Sequence, residues 1–119
     1  MRIAGDEVAV VYDWDSVFLD RETFFVATAA AHFPVTWELP VPETPAPADM
    51  AAFVRVYEAE RGRKFTDGEL AELAAGATYA RAYKARCEHA LDGTRERWEG
   101  SSRQALDALG PYTVATLRA

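Results

Sequence analysis

The sequence has one cysteine, two histidines and no asparagine, and each scarcity excludes a class of site. Because Cys87 is alone, the chain can form neither an intramolecular disulfide nor a CxxC zinc site, and a reducing cytoplasm is the expected compartment. We expect Cys87 to be a small apolar core residue. His32 and His89 have no Asp, Glu or Cys partner at a metal-ligand or catalytic spacing, so we expect both to be structural.

Positive charge and long apolar runs are also scarce. The formal net charge is -6, whereas a nucleic-acid or anionic membrane partner requires clustered Lys and Arg. No stretch approaches the roughly 18 apolar residues of a membrane span, and the N-terminus lacks the basic-then-apolar order of a signal peptide. We therefore predict a cytoplasmic protein that binds neither nucleic acid nor membrane.

The 119 residues fit a single domain, 1–119, that is mainly α with a short N-terminal β-hairpin. Arg2–Ala4 and Val8–Tyr12 are short strand candidates, and the Gly5-Asp6-Glu7 segment between them suits a tight reversal. Residues 1–12 are therefore predicted to form the hairpin, and 20–119 a helical subdomain.

The first predicted helix runs from Arg21 to Phe33, with Asp20 as its N-cap and Pro34 as its stop. Its Phe and Ala residues leave almost no polar face, so we expect it to be central and buried. Five prolines between Pro34 and Pro47 disfavour helix, which makes residues 34–47 a connector.

Three more helices complete the prediction. Residues 48–61 carry one apolar stripe and end at Gly62. Thr66 and Glu69 form a capping box that opens a long helix to Leu91. A last helix covers 101–109 and resumes to Leu117. The expected buried face of the long helix consists of Leu70, Leu73, Ala77, Ala80, Tyr83 and Cys87.

The strongest chemical signal is the run Val10-Val11-Tyr12-Asp13-Trp14-Asp15-Ser16 at residues 10–16. If the strand continues, Asp13 and Asp15 share one face and can approach one ion, and carboxylate oxygen is what Mg²⁺ prefers. The alternative is that Asp15 or Ser16 only caps or turns the chain and binds no metal.

Other chemistry candidates have simpler structural explanations. Aromatic rings at Trp14, Trp37 and Trp98 could stack on a ligand, but core packing is the commoner role. Carboxylates on the later helices could attract a polyamine-like substrate, but a solvated acidic face explains them as well; they are Glu69, Glu72, Glu88, Asp92 and Glu96.

The acidic run at 13–16, placed after a Gly-Asp turn and before a helix rich in Phe and Ala, resembles the metal-site strand of the aminoglycoside phosphotransferase family. The segments Ala52–Thr66 and Ala82–Leu91 are similar to the helical tail of actinobacterial members. The resemblance covers nearly the whole chain but only the last part of the family's fold. It implies the C-terminal lobe of a protein-kinase-like fold.

The resemblance further implies that Asp13 binds Mg²⁺ bridging the nucleotide phosphates, with Asp15 as a second acidic residue. It implies that the helices after it support and partly line the acceptor-substrate site. Family members act on aminoglycosides, choline, homoserine and other small molecules.

This sequence departs from the family pattern in its catalytic parts. The family's H-x-D-x-x-x-x-N loop is absent, and the only lysines, Lys64 and Lys84, lie in the predicted helical subdomain. We therefore expect a truncated or split C-terminal portion of such a kinase, incompetent alone, with weak Mg²⁺ binding and ATP binding only if a missing N-terminal lobe completes it. The alternative is a stand-alone interaction or small-ligand-binding module. In either case we expect a homodimer, because exposed apolar faces invite pairing.

Overall fold

The computed structural model describes residues 2–5, 7–10, 19–34, 44–94 and 99–119. Two short strands come first, β1 at Arg2–Ala4 and β2 at Glu7–Val10. They are antiparallel, with Ile3 opposite Val8. Gly5 turns the chain between them with a φ of 63°, a left-handed conformation that glycine adopts without steric cost because it lacks a Cβ.

Most of the remaining described chain is helical, so the prediction of a mainly α protein is confirmed. The longest helix, α3, is central, because it packs against α1, α4 and α5, while α2 packs against α1 and α5. The helices are α1 (Glu22–His32), α2 (Pro47–Glu60), α3 (Asp67–Leu91), α4 (Ser102–Leu109) and α5 (Val114–Arg118).

Helix α1 differs from its prediction in its start and in its burial. The N-cap is Arg21, because the Asp20 carboxylate accepts a hydrogen bond from the Arg21 amide (2.7 Å) and caps nothing further along. The helix is not buried on all sides: Phe25 is 42% exposed and Phe33 49% exposed. Within the described residues α1 packs against α2 and α3, and these two rings stay partly exposed, so its apolar composition overstates its burial.

Helices α2 and α3 begin close to where the sequence predicts. Pro47 is the first residue of α2, a position where the missing amide proton costs no hydrogen bond. The Thr66 hydroxyl accepts from the Glu69 amide (3.2 Å) and the Glu69 carboxylate accepts from the Thr66 amide (2.8 Å), which confirms the capping box. The helix it opens ends at Leu91, as predicted.

One hydrophobic core contains side chains from α1, α2, α3 and α5. Small residues dominate it, which lets the helix axes approach closely. Its members are Val26, Ala27, Ala30, Ala31, Met50, Val54, Phe65, Leu70, Leu73, Ala74, Ala77, Ala80, Tyr112 and Leu117.

The predicted face of α3 is correct in its first half and wrong in its second. Leu70, Leu73, Ala77 and Ala80 are buried, but Tyr83 is 56% exposed and Cys87 is exposed. In the second half the buried stripe shifts to Arg81 and Ala85. This part of α3 packs against α4, where Glu88 binds the amides of Ser102 and Arg103, whereas the first half packs against α1 at Gly76.

Among the described residues, no helix combines the length and the apolar character that crossing a membrane requires.

Candidate functional site

The two predicted metal ligands, Asp13 and Asp15, lie outside the described residues, as do Ser16, Trp14, Trp37, Trp98 and Glu96. In the sequence, Asp13 and Asp15 fall between the end of β2 at Val10 and the start of α1 at Glu22. In the described part of the chain, no three or more His, Cys, Asp or Glu side chains come together as metal ligands. The magnesium site therefore stays a prediction.

Glu69, at the start of α3, has a structural role. Besides capping the helix, its carboxylate accepts two parallel hydrogen bonds from the Arg63 guanidinium, at 2.9 and 3.0 Å. These bonds, followed by the one from the Thr66 amide, lower the pKa of Glu69 from 4.5 to about 2. The ionised Glu69 carboxylate is therefore the form that stabilises the folded chain.

The other described acidic candidates also have structural partners. Glu72 accepts from the Arg21 guanidinium at 2.9 Å and from the Thr23 hydroxyl at 3.0 Å. Glu88 accepts from the amides of Ser102 and Arg103, both at 3.1 Å, and so satisfies the exposed donors at the start of α4. Asp92 accepts from the amide and the hydroxyl of Thr94.

The histidines are on different helices. His32 is at the end of α1, where its Nδ1 lies 2.9 Å from the Thr28 carbonyl oxygen. His89 is exposed near the end of α3. In the described residues neither forms part of a group of metal ligands.

Glu58 of α2 is a buried carboxylate, 8% exposed, that was not among the predicted site residues. It accepts hydrogen bonds from the Phe65 amide (2.7 Å) and from Lys64 Nζ (2.9 Å). Burial by itself raises the pKa of Glu58, but these bonds outweigh it and the pKa is lowered. Glu58 follows Met50 and Val54 at spacings of four residues, and that periodicity is the signal by which it could have been found.

A buried guanidinium was also missed. Arg81 of α3 is 2% exposed, and its guanidinium carbon lies 3.7 Å from the centre of the Tyr112 ring. Burial lowers the pKa of Arg81 to about 10. Cation–π contact with Tyr112 offsets part of the cost of desolvation. Arg81 follows Ala77 by four residues on the buried stripe, which again is a readable signal.

A surface pocket of about 600 Å³ lies where the start of α1 meets the outer side of α3. Ala75 and Gly76, which have little or no side chain, are among its lining residues. A Cβ built on Gly76 would approach that of Ala27 to 2.9 Å, so α1 packs closely on α3 at this point. The aromatic wall is formed by Phe24 and Tyr79. The remaining lining residues are polar: Asp20, Arg21, Thr23 and Glu72.

No family model, curated protein or solved structure matches this chain.

Proposed function

We propose that this chain is the helical subdomain of a small-molecule kinase of the aminoglycoside phosphotransferase type, and that it transfers no phosphoryl group alone. In this proposal Asp13 is a Mg²⁺ ligand and Asp15 a second carboxylate beside the ion. ATP binds only when a nucleotide-binding lobe completes the site. Strands β1 and β2 correspond to the hairpin that precedes the metal-site strand of that family.

The observation that carries the proposal is that the acidic candidate residues on the described helices have structural roles. Glu69 and Glu88 cap helices, and Glu72 is paired with Arg21. Side chains held in this way stabilise a scaffold, which is what a supporting subdomain needs. The chemistry is then assigned to Asp13, in the segment between the strands and the helices.

Phosphoryl transfer depends on positioning the phosphates and on stabilising the charge that develops on them. Kinases supply a phosphate-gripping lysine, a base and a second metal ligand for this purpose. One or two carboxylates without phosphate oxygens hold Mg²⁺ poorly, because that ion binds through a few carboxylates together with substrate phosphates. The 119-residue chain is therefore expected to be inactive alone.

Calorimetric titration of ATP with Mg²⁺ into the purified chain tests this first prediction. We expect no binding tighter than roughly millimolar, and the same result for Asp13→Ala. The DNA upstream of the Met1 codon provides an independent test. A Gly-rich loop and an H-x-D-x-x-x-x-N loop, encoded in frame or in an adjacent gene, would support the proposal.

Two results would contradict the proposal of an incompetent subdomain. One is micromolar ATP binding by the isolated chain. The other is transfer of a γ-phosphoryl group that Asp13→Ala abolishes. In the second case Asp107→Ala is the matched control, because Asp107 is an exposed carboxylate on α4 and should not affect the activity.

The second candidate function is a stand-alone module that binds a partner or a small ligand without catalysis. It is favoured by the large apolar side chains that the described helices leave exposed, among them Phe25, Tyr79 and Tyr83. Absence of any completing coding segment would favour this candidate over the kinase subdomain, because both candidates expect Asp13→Ala to leave ATP binding by the isolated chain unchanged.

A further inference from the structure

The outer side of α3 carries two exposed tyrosines one helical turn apart. Tyr79 is 61% exposed and Tyr83 56% exposed. Their rings are stacked, with centroids 6.3 Å apart and planes inclined by 25°. Large aromatic side chains that are this exposed yet ordered against each other are typical of protein–protein contact surfaces.

Next to Tyr79, the surface of α3 has a hole that can receive a bulky side chain. Glu72, Ala75, Gly76 and Tyr79 are at positions i, i+3, i+4 and i+7, the four-residue hole that receives a knob in close helix packing. The same four residues line the pocket of about 600 Å³, together with Asp20 and Phe24 from the start of α1. The small side chain of Ala75 leaves room in this hole, and Gly76 lies where α1 packs closely on α3.

The positions of Tyr83 and of this hole along α3 would let two copies of the chain bind each other. In two antiparallel α3 helices related by a two-fold axis beside Tyr79, positions equally far before and after Tyr79 face each other. Tyr83 lies four residues after Tyr79 and Ala75 four residues before it, about 6 Å along the axis in each direction. Tyr83 of one copy therefore meets the hole of the other copy, and the reverse contact forms by symmetry.

The same operation pairs opposite charges. Glu72 lies seven residues before Tyr79 and Arg86 seven residues after it, so Glu72 of each copy faces Arg86 of the other. Glu72 is partly exposed, and its carboxylate has lone pairs beyond those that bind Arg21 and Thr23. Arg86 is exposed on the surface of α3. Two reciprocal ion pairs at the rim fix the antiparallel register.

We propose that this surface, defined by Glu72, Ala75, Gly76, Tyr79, Tyr83 and Arg86, forms a symmetric antiparallel homodimer in which Tyr83 of each copy occupies the α1–α3 pocket of the other. The occupant of the pocket is thus a second copy of the chain. The proposal goes beyond the proposed function and does not depend on Asp13 or on nucleotide binding.

Sedimentation of the purified chain over a concentration series tests the dimer. We expect a monomer–dimer equilibrium that Tyr83→Lys weakens at least about tenfold. Val56→Lys is the matched control, since Val56 is an exposed apolar residue on α2, away from this surface. Circular dichroism of both variants checks that the helices are retained. A monomeric wild-type chain, or a dimer that Tyr83→Lys does not weaken, would overturn the proposal.

Exchanging the charges of Glu72 and Arg86 tests the antiparallel register of the two α3 helices. Glu72→Lys alone sets a lysine against Arg86, and Arg86→Glu alone sets a glutamate against Glu72, so each variant should be monomeric. Mixed together, the two variants should form a heterodimer, because the introduced lysine of one chain then faces the introduced glutamate of the other. The second contact in this heterodimer is the native pair of Arg86 with Glu72. If the mixture stays monomeric, or if either single variant still dimerises like the wild type, the antiparallel register is wrong.

The exposed Cys87, the only cysteine, provides a distance measurement without any substitution. It lies eight residues after Tyr79, so in the proposed dimer the two copies of Cys87 are separated mainly along the helix axis. Spin labels on Cys87 should report a distance of about 25–35 Å. A separation beyond about 45 Å, which joining the N-terminal ends of α3 would give, or below about 15 Å, which joining its C-terminal ends would give, would overturn the proposed geometry.

Discussion

In the part of the chain that the structure describes, several charged side chains stabilise the ends of helices. Glu69 combines a cap with a two-pronged Arg63 pair, and Glu88 serves the start of α4. Glu58 is buried, yet it binds the Phe65 amide and Lys64. A buried carboxylate is tolerated when hydrogen bonds satisfy it. At the residue scale, then, charge is used to fix the connections between helices.

Glu69→Gln should flatten the dependence of stability on pH in acid. The pKa of Glu69 in the folded chain is about 2, below its ordinary value of 4.5. Its contribution to stability is therefore complete above pH 4.5 and is lost as the pH falls toward about 2. Glutamine can still accept from the Thr66 amide but carries no charge. Urea unfolding at several pH values in this window measures the difference.

Arg63→Gln tests the cause of that shift. Because the hydrogen bonds from Arg63 are the largest cause of the lowered pKa of Glu69, this variant should weaken the same acid dependence. The double variant should lose little more than either single variant. A Glu69→Gln protein that keeps the wild-type dependence on pH would contradict the prediction.

At the scale of elements, α3 organises the fold because its two halves face different neighbours. The first half contacts α1 closely at Gly76, where Ala27 and Phe24 of α1 are adjacent. The second half turns Arg81 and Ala85 toward the α4 side of the molecule. One straight apolar stripe along α3 could not face both α1 and α4. The buried stripe therefore lies on a different side of the helix in its second half.

Gly76→Ala should destabilise the protein although alanine is the better helix former. A Cβ at this position would lie 2.9 Å from the Cβ of Ala27, so α1 and α3 must move apart. Such overpacking costs about 1–3 kcal/mol, whereas the gain in helix propensity is at most about 1 kcal/mol. The free energy of unfolding in urea gives the net sign.

Gly68→Ala is the control for this contact. Gly68 is in the first turn of the same helix, and a Cβ there meets no atom within 4 Å among the described residues. This change should be neutral or stabilising, by up to about 1 kcal/mol. If Gly76→Ala stabilised the protein as much as Gly68→Ala, the close approach of α1 and α3 would not be a constraint on the fold.

Across the whole molecule, elements far apart in the sequence close one core. Helix α5 packs against α2 and α3, and its Leu117 is buried in the shared cluster. At the other side, Glu22 of α1 accepts a hydrogen bond from Tyr57 of α2 and lies 3.3 Å from the Arg61 guanidinium. The core and this network tie α1, α2, α3 and α5 into one unit.

Leu117→Ala should therefore lower the stability of the whole unit, although α5 has only five residues. We expect a loss of about 2–5 kcal/mol, because the residual cavity lies inside the common core. Leu109→Ala, at a half-exposed leucine of α4, should change stability by less than about 1 kcal/mol. Thermal unfolding should remain one transition. Two separated transitions would contradict a single cooperative core.

Part of this structure was readable from local sequence patterns. The capping box at Thr66 and the end of α3 at Leu91 depend on neighbours in the chain, and they were placed correctly. Pro47 was assigned to the connector but is the first residue of α2. The exposed Phe25, Tyr83 and Cys87 were not predicted to be exposed, because apolar character shows that a residue can be buried but not which helix will cover it.

The sequence by itself determined the helical class, most helix ends and the acidic motif at Asp13 and Asp15, because periodicity, capping and composition act within a few residues. Tertiary structure decided the rest. It determined which partners Glu69, Glu72 and Glu88 bind, that the Arg81 guanidinium lies over the Tyr112 ring, and that Ala75 and Gly76 line a pocket with residues of α1. Those outcomes depend on contacts between segments that no local pattern encodes.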